Sequence, residues 1–214
     1  MADEMKTHGS EKKYGQFHRR FFEANIVNFA VWATIAILIG GIVEIVPMFT
    51  PAGTEISPDV TPYTALEVAG RDIYVSEGCY VCHSQWVRPM RAEILRYGPW
   101  SRAWEYQYDR PFQLGSRRIG PDLHRVGGKY PDAWHYEHMR DPRSTTPGSV
   151  MPSYSWLLTN RIDAADVRAS MVALRKTGTP YSEADIAGVE ESLAEQGGAI
   201  VGRLSEAGIG SEPD

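Results

Sequence analysis

Five consecutive residues, Cys79-Tyr80-Val81-Cys82-His83, carry the most specific chemistry in the chain. Two thiols spaced C-x-x-C, with an imidazole directly after the second, form the attachment signature of a c-type haem. The thiols add across the two vinyl groups as thioethers. His83 then ligates the iron from the proximal side. A zinc site would ask for more ligands of the same kind nearby, and the chain has only 2 cysteines. A disulfide oxidoreductase would set the motif in a thioredoxin-like βαβ pattern, and none is visible. One covalent haem c is therefore expected, and with both thiols consumed no disulfide is.

A second axial ligand is the next requirement. Met151 is followed by Pro152. A thioether is a soft ligand, and His/Met ligation raises the haem potential in a way that suits an electron carrier. The commoner fate of a methionine is packing in a core, and His124, His135 and His138 are the other candidates. Met90, Met139 and Met171 lack the following proline. Iron filled on both faces passes electrons rather than binding oxygen.

Helices must position these groups. Thr61-Pro62 reads as a cap and first-turn proline, opening a helix that runs to about Cys82 with Leu66, Ala69, Gly70 and Ile73 on one stripe. Gly70 leaves room for a second helix to cross closely, four residues before Tyr74. The candidate for that helix is 163–176, with Val167, Met171 and Leu174 as its stripe and Gly178 as its stop. A helix carrying G-x-x-x-Y into C-x-x-C-H, and a C-terminal helix to cross it, resembles the class I cytochrome c fold. Gly120-Pro121-Asp122-Leu123 is similar to that family's G-P-x-L loop. The resemblance implies that the Pro121 carbonyl accepts a hydrogen bond from the other ring nitrogen of His83, fixing tautomer and orientation.

Ahead of this domain, the run from Ala24 to Val43 holds no charged residue. About 20 apolar residues at helical rise cover about 30 Å, the thickness of a bilayer core. The stretch is longer than the apolar region of a signal peptide, and no small-x-small cleavage site follows. An uncleaved anchor over 24–48 is expected. Lys12, Lys13, Arg19 and Arg20 precede it, and no Lys or Arg follows until Arg71. The positive-inside rule leaves residues 1–23 in the cytoplasm and exports the rest. Glu44, near the outer end, is read as reaching the interface.

Residues 49–62 are rich in Pro, Gly, Thr and Ser and read as a linker. The haem domain is placed at 63–178, with a long insert at 84–119. Seven arginines and no lysine occupy that insert, interleaved with Trp86, Tyr97, Trp100, Trp104, Tyr106, Tyr108 and Phe112. Arginine with aromatic rings is the composition of an interface core. Arginine also gives planar two-point contacts to carboxylates such as haem propionates, for which Arg88 and Arg118 are the candidates. The net charge of −5 gathers in the segment 179–214, where eight acids from Ser182 onward face the single base Arg203. A capped helix beginning SEAD is expected there, as a solvated or partner-docked tail with a possible stripe of Ile186, Val189, Leu193 and Ile200. Nothing resembles a nucleic-acid-binding face.

The runs GRDIYVSEGCYVCHSQWVRPMRAEILRYGPWS, YDRPFQLGSRRIGPDLHRVGGKYPDAWHYEHM and MPSYSWL together resemble the mono-haem cytochrome c subunit (FixO/CcoO-type) of cbb3-type cytochrome c oxidases. The resemblance covers the anchor and nearly all of 61–158, and leaves out the segment after Thr177. It implies a non-catalytic electron-transfer subunit of a bacterial terminal oxidase in the cytoplasmic (inner) membrane, its haem domain periplasmic. Electrons would come from a soluble cytochrome c or another cytochrome c subunit. They would go to the b-type haem of the large haem–copper catalytic subunit. The family also carries calcium, shared with that subunit, near its haem propionates. The matching segment is Tyr97-Gly98-Pro99-Trp100-Ser101, so Gly98 and Ser101 are candidate ligands, and calcium wants several oxygens. Two other readings compete: a free-standing anchored cytochrome c shuttle, and the small cytochrome subunit of a nitric oxide reductase. A shuttle would use a small, weak docking surface, and the reductase subunit would lack the long insert.

Overall fold

The structure, a computed structural model, describes residues 16–49, 56–85, 89–113, 115 and 119–209. It is mainly helical, with no β-strand among the described residues. The chain divides into two units, Met1–Pro47 and Met48–Asp214.

In the first unit, α1 (Gln16–His18) runs into a π-helical turn over Arg19–Glu23. Asn25 then starts α2 (Ile26–Met48), its side-chain oxygen accepting from the Asn28 N–H at 3.2 Å. This is the N-cap role that asparagine favours. α2 is apolar on every face and none of it is buried within the chain. At 1.5 Å per residue its 23 residues span about 34 Å, enough to cross a membrane.

The second unit opens with α3 (Ala65–Ser76). The helix starts later than Pro62 because Thr64, not Thr61, makes the cap. Thr64 N–H and Oγ1 both reach Glu67 Oε2, at 2.8 and 2.9 Å, a capping box. It also ends earlier than Cys82. Gly78 sits at φ +69, a left-handed conformation that glycine adopts without penalty and that stops an α-helix. A 3-10 turn over Cys79–Val81 follows. Next come α4 (Arg91–Tyr97), α5 (Asp132–Arg140), α6 (Pro142–Thr145) and α7 (Ala164–Lys176), the last capped by Asp163, which accepts from Ala165 N–H at 2.8 Å. Ser182 caps α8 (Glu183–Ala187) through a box with Asp185, and α9 (Val189–Glu206) follows after Gly188.

The core forms where α3 packs on α7. Ala65, Val68 and Ala69 meet Val167, Met171 and Leu174, and Tyr181, Ile186 and Val189 close the cluster. Each large aliphatic buried here contributes about 1.5–3 kcal/mol. Of the stripe expected on α3, only Ala69 is fully buried. Gly70 is exposed, and a Cβ built on it would meet nothing within 4 Å. The close helix approach expected at Gly70 instead uses two alanines, Ala65 and Ala69, one turn apart. The C-terminal segment also differs from a solvated or partner-docked tail. Val189 is 0% exposed, and the Tyr181 hydroxyl donates to the Tyr63 carbonyl at 2.7 Å. Its acidic residues form the outer face of helices whose apolar stripe completes the core.

The described part of the insert is fastened to the start of this unit. The buried Gln107 side chain accepts from Ser57 N–H at 2.8 Å and donates to Ser57 O at 3.0 Å. Buried Asp109 accepts from Tyr63 Oη at 2.7 Å and from Arg71 Nε at 2.9 Å. Arg71 Nη2 donates to Arg110 O at 2.9 Å.

Candidate haem-binding site

The C-x-x-C-H residues lie on one tight turn. His83 N–H donates to Cys79 O at 2.8 Å and Cys82 N–H to the same oxygen at 3.1 Å. Both cysteines are half-buried free thiols. The Cys82 carbonyl in turn accepts from Ile119 N–H and Gly120 N–H, each at 3.1 Å. These bonds bring the G-P-x-L loop against the imidazole, and His83 Nδ1 stands 2.9 Å from the Pro121 carbonyl. A carbonyl only accepts, so Nδ1 carries the proton and the lone pair lies on Nε2, the atom that iron would take. Gly120 has no substitute here: a Cβ on it would lie 2.0 Å from His83 Cε1 and 2.6 Å from each ring nitrogen. Tyr74, the tyrosine of G-x-x-x-Y, donates its hydroxyl to the His83 carbonyl at 2.7 Å.

The loop 149–154 carries Met151. Met151 is half-buried, and its N–H donates to Ser149 Oγ at 3.2 Å. Tyr154 N–H donates to Met139 O at 2.9 Å, and Ser153 Oγ donates to Arg140 O, tying the loop to the end of α5. Burial raises the Tyr154 hydroxyl pKa, and the nearby Cys79, Cys82 and Glu77 raise it further; the tyrosine thus stands by the cysteine turn. Val81, Ile119, Leu123, Val150 and Trp156 are exposed apolar side chains on these segments. Two half-buried thiols, an oriented imidazole, a soft thioether and uncovered apolar surface fit a porphyrin.

The three histidines have other partners. His124 Nε2 is 3.2 Å from Glu105 Oε2, its ring beside Tyr106. His135 stands edge-on to Trp134. His138 Nδ1 is 2.6 Å from Thr145 Oγ1. Arg88 and Arg118 lie outside the described residues. Arg110 is not a surface arginine: it is buried, with Nε donating to Gln107 O at 3.1 Å.

For calcium, Gly98 sits at φ +96 at the end of α4, and Ser101 is fully buried with its hydroxyl on Asp122. The Pro99 and Trp100 carbonyls accept from Arg125 at 2.6 and 3.4 Å. No group of three His, Cys, Asp or Glu side chains placed to hold a metal ion occurs among the described residues. The Pro99 and Trp100 carbonyls and the Ser101 hydroxyl thus already have partners within the chain.

Reading the sequence alone missed Asp122 and Tyr154. Asp122 accepts from Ser101 Oγ, from Tyr106 Oη at 3.1 Å and from His124 N–H at 3.1 Å, so it anchors the loop that holds His83. Its place inside G-P-D-L was the available signal, as M-P-S-Y was for Tyr154.

No curated protein matches this chain. A family model does, and it continues through the C-terminal segment that the motif resemblance left out, in keeping with the burial of Ile186 and Val189. That model, described as "Cytochrome C oxidase, mono-heme subunit/FixO", covers residues 18–213, and the chain belongs to this family.

Proposed function

We propose that this chain is the membrane-anchored electron-transfer subunit of a cbb3-type terminal oxidase in a bacterial cytoplasmic membrane, with α2 as anchor and the haem domain on the periplasmic side. As a mono-haem oxidase subunit it carries one haem and associates with a catalytic subunit. Electrons come from a cytochrome c donor, soluble or another subunit, and leave for the b-type haem of the catalytic subunit. The observation that carries this reading is the contact of His83 with Pro121 and Gly120 beside the cysteine turn, in a chain of this family.

The haem supplies one-electron redox chemistry. Cys79 and Cys82 would hold it covalently, and His83 Nε2 would ligate its iron. Pro121 O holds the Nδ1 proton and so keeps Nε2 electron-rich. Met151 Sδ would be the second side chain to hold the haem iron, a soft donor that would favour electron transfer over oxygen binding. Arg88 and Arg118 are assigned to the propionates. Gly98 and Ser101 are assigned to a calcium ion completed by ligands of the catalytic subunit.

Mild-detergent extraction of the native assembly tests this. Co-elution of the chain with b-type haem and copper, with oxygen turnover, is expected. A lone haem protein would mean a free shuttle, and nitric oxide turnover would mean the reductase. The pigment must stay with the polypeptide in acidic denaturing solvent; its release would exclude covalent attachment.

A further inference from the structure

Tyr130, Trp134 and His138 are spaced one helical turn apart, just before and along α5. Their rings form a column. Tyr130 and Trp134 have centroids 4.2 Å apart and planes 18° from parallel; Trp134 and His138 are 4.4 Å apart at 10°. His135, one residue along, stands at 88° to Trp134 and is outside the column. Aromatic pairs readily settle edge-on as well as stacked, so two successive near-parallel contacts are a specific arrangement. Overlapping π-systems also couple electronically better than saturated side chains or gaps of the same length.

The column has two distinct ends. His138 lies in the last turn of α5, where Met139 O and Arg140 O bind the loop that carries Met151. Burial, then the charges of His135 and His83, lower its pKa. At the other end, the Tyr130 hydroxyl is 3.5 Å from Arg96 Nη2. Lys129 Nζ lies 6.0 Å from the Tyr130 ring centre and 5.2 Å from that of Tyr97. Arg96 belongs to α4 of the insert, where Leu95 is 77% and Trp100 37% exposed. Exposed apolar and aromatic side chains among arginines have the composition of a stable interface core. The stable partner of an oxidase subunit is its catalytic subunit.

We propose that the Tyr130–Trp134–His138 column is the electron exit, bridging the haem held by His83 to the catalytic subunit at the Tyr130 end. The inference rests on the haem reading above. One electron passes from ferrous iron on this chain to ferric iron on the acceptor, leaving ferric iron here and ferrous iron there. The rings serve as a tunnelling bridge. They are neither oxidised nor reduced in net, and no proton moves.

The test uses the purified whole complex, oxidised, with a flash of photoexcited ruthenium tris-bipyridyl and a sacrificial amine donor placing one electron on the c haem. Absorbance at the c and b bands follows its departure. Trp134→Leu is expected to slow the c-to-b step about tenfold, and Trp134→Phe to restore most of the rate. The c-haem midpoint potential, the sulfur–iron absorption band and the rate of c-haem reduction by external ascorbate with a phenylenediamine mediator are expected to stay at wild-type values. A wild-type c-to-b rate in Trp134→Leu overturns the proposal, as does equal slowing of both steps. If Trp134→Leu does not accumulate, Tyr130→Leu carries the same expectation, slowing in its favour and a wild-type rate against it. A preparation with no b haem would instead strike the oxidase reading itself.

Discussion

A Cβ on Gly120 would stand 2.0 Å from Cε1 of His83. The glycine that opens the G-P-x-L loop is therefore the floor on which the imidazole rests, and the next residue supplies the carbonyl that orients it. Gly120→Ala is expected to push the ring off Pro121 O, with an overpacking cost of about 1–3 kcal/mol. Haem per polypeptide, measured as pyridine haemochrome on purified chain, should fall. Wild-type haem content with an unchanged potential would show that the loop moves aside at no cost.

Met151 and Met171 should separate cleanly. Met171 is 2% exposed in the helical core, so Met171→Ala should cost about 2–5 kcal/mol and leave the visible spectrum alone. Met151→Leu should leave thermal stability near wild type but remove the sulfur–iron absorption band. If the band survives in Met151→Leu, the sixth ligand lies elsewhere.

Glu105 gives a pH dependence of defined sign. Burial works to raise its carboxyl pKa. Hydrogen bonds from Arg125 and the Arg102 N–H, with the charges of Arg125 and His124, outweigh burial and hold the pKa below the usual glutamate range. Arg125 Nη1 and Nη2 each lie 2.6 Å from a Glu105 oxygen. A carboxylate lowered on folding contributes its stability in full above the unfolded value, about 4.3, and loses it as pH falls through the folded value. Glu105→Gln should therefore lower stability at pH 7 by about 1.5–3 kcal/mol. In urea melts the gap to wild type should close on going below the folded value. A gap that is constant down to strongly acidic pH would contradict the charged pairing.

The C-terminal helices are testable as core. Val189 is 0% exposed, and Val189→Asp would bury an unpaired carboxylate. It should abolish folding of the haem domain, while Glu195→Ala, on the exposed face of α9, should stay within about 0.5 kcal/mol of wild type. Proteolysis of both variants reads the difference. Equal resistance would mean the segment is dispensable.

Much of the fold could be read where the physics is local. The apolar run of α2, the Val167–Met171–Leu174 stripe, the Gly178 stop and the Ser182 cap each depend on neighbours a few residues away. Register and depth were less legible. Thr61-Pro62 and Thr64 with Glu67 are both plausible starts for α3, and only the second makes the reciprocal bonds. The Gly70 stripe misled because an exposed glycine and an interfacial one look the same in a sequence. The insert misled in part because buried Gln107, Asp109 and Arg110 are tied by long-range bonds to residues 57–71, and buried Tyr106 to Asp122, which no local pattern announces.

The sequence by itself determined that two thiols and an imidazole stand on one turn, because their fixed spacing puts them there whatever surrounds them. It also determined the apolar span, which follows from length and composition. Only the tertiary structure decided that Gly120 and Pro121 meet His83, that Tyr154 stands by the cysteine turn, and that Val189 completes the core. These contacts join residues tens of positions apart. Their formation depends on the packing of α3, α7 and α9 as a whole, a cooperative property that no short stretch of chain contains.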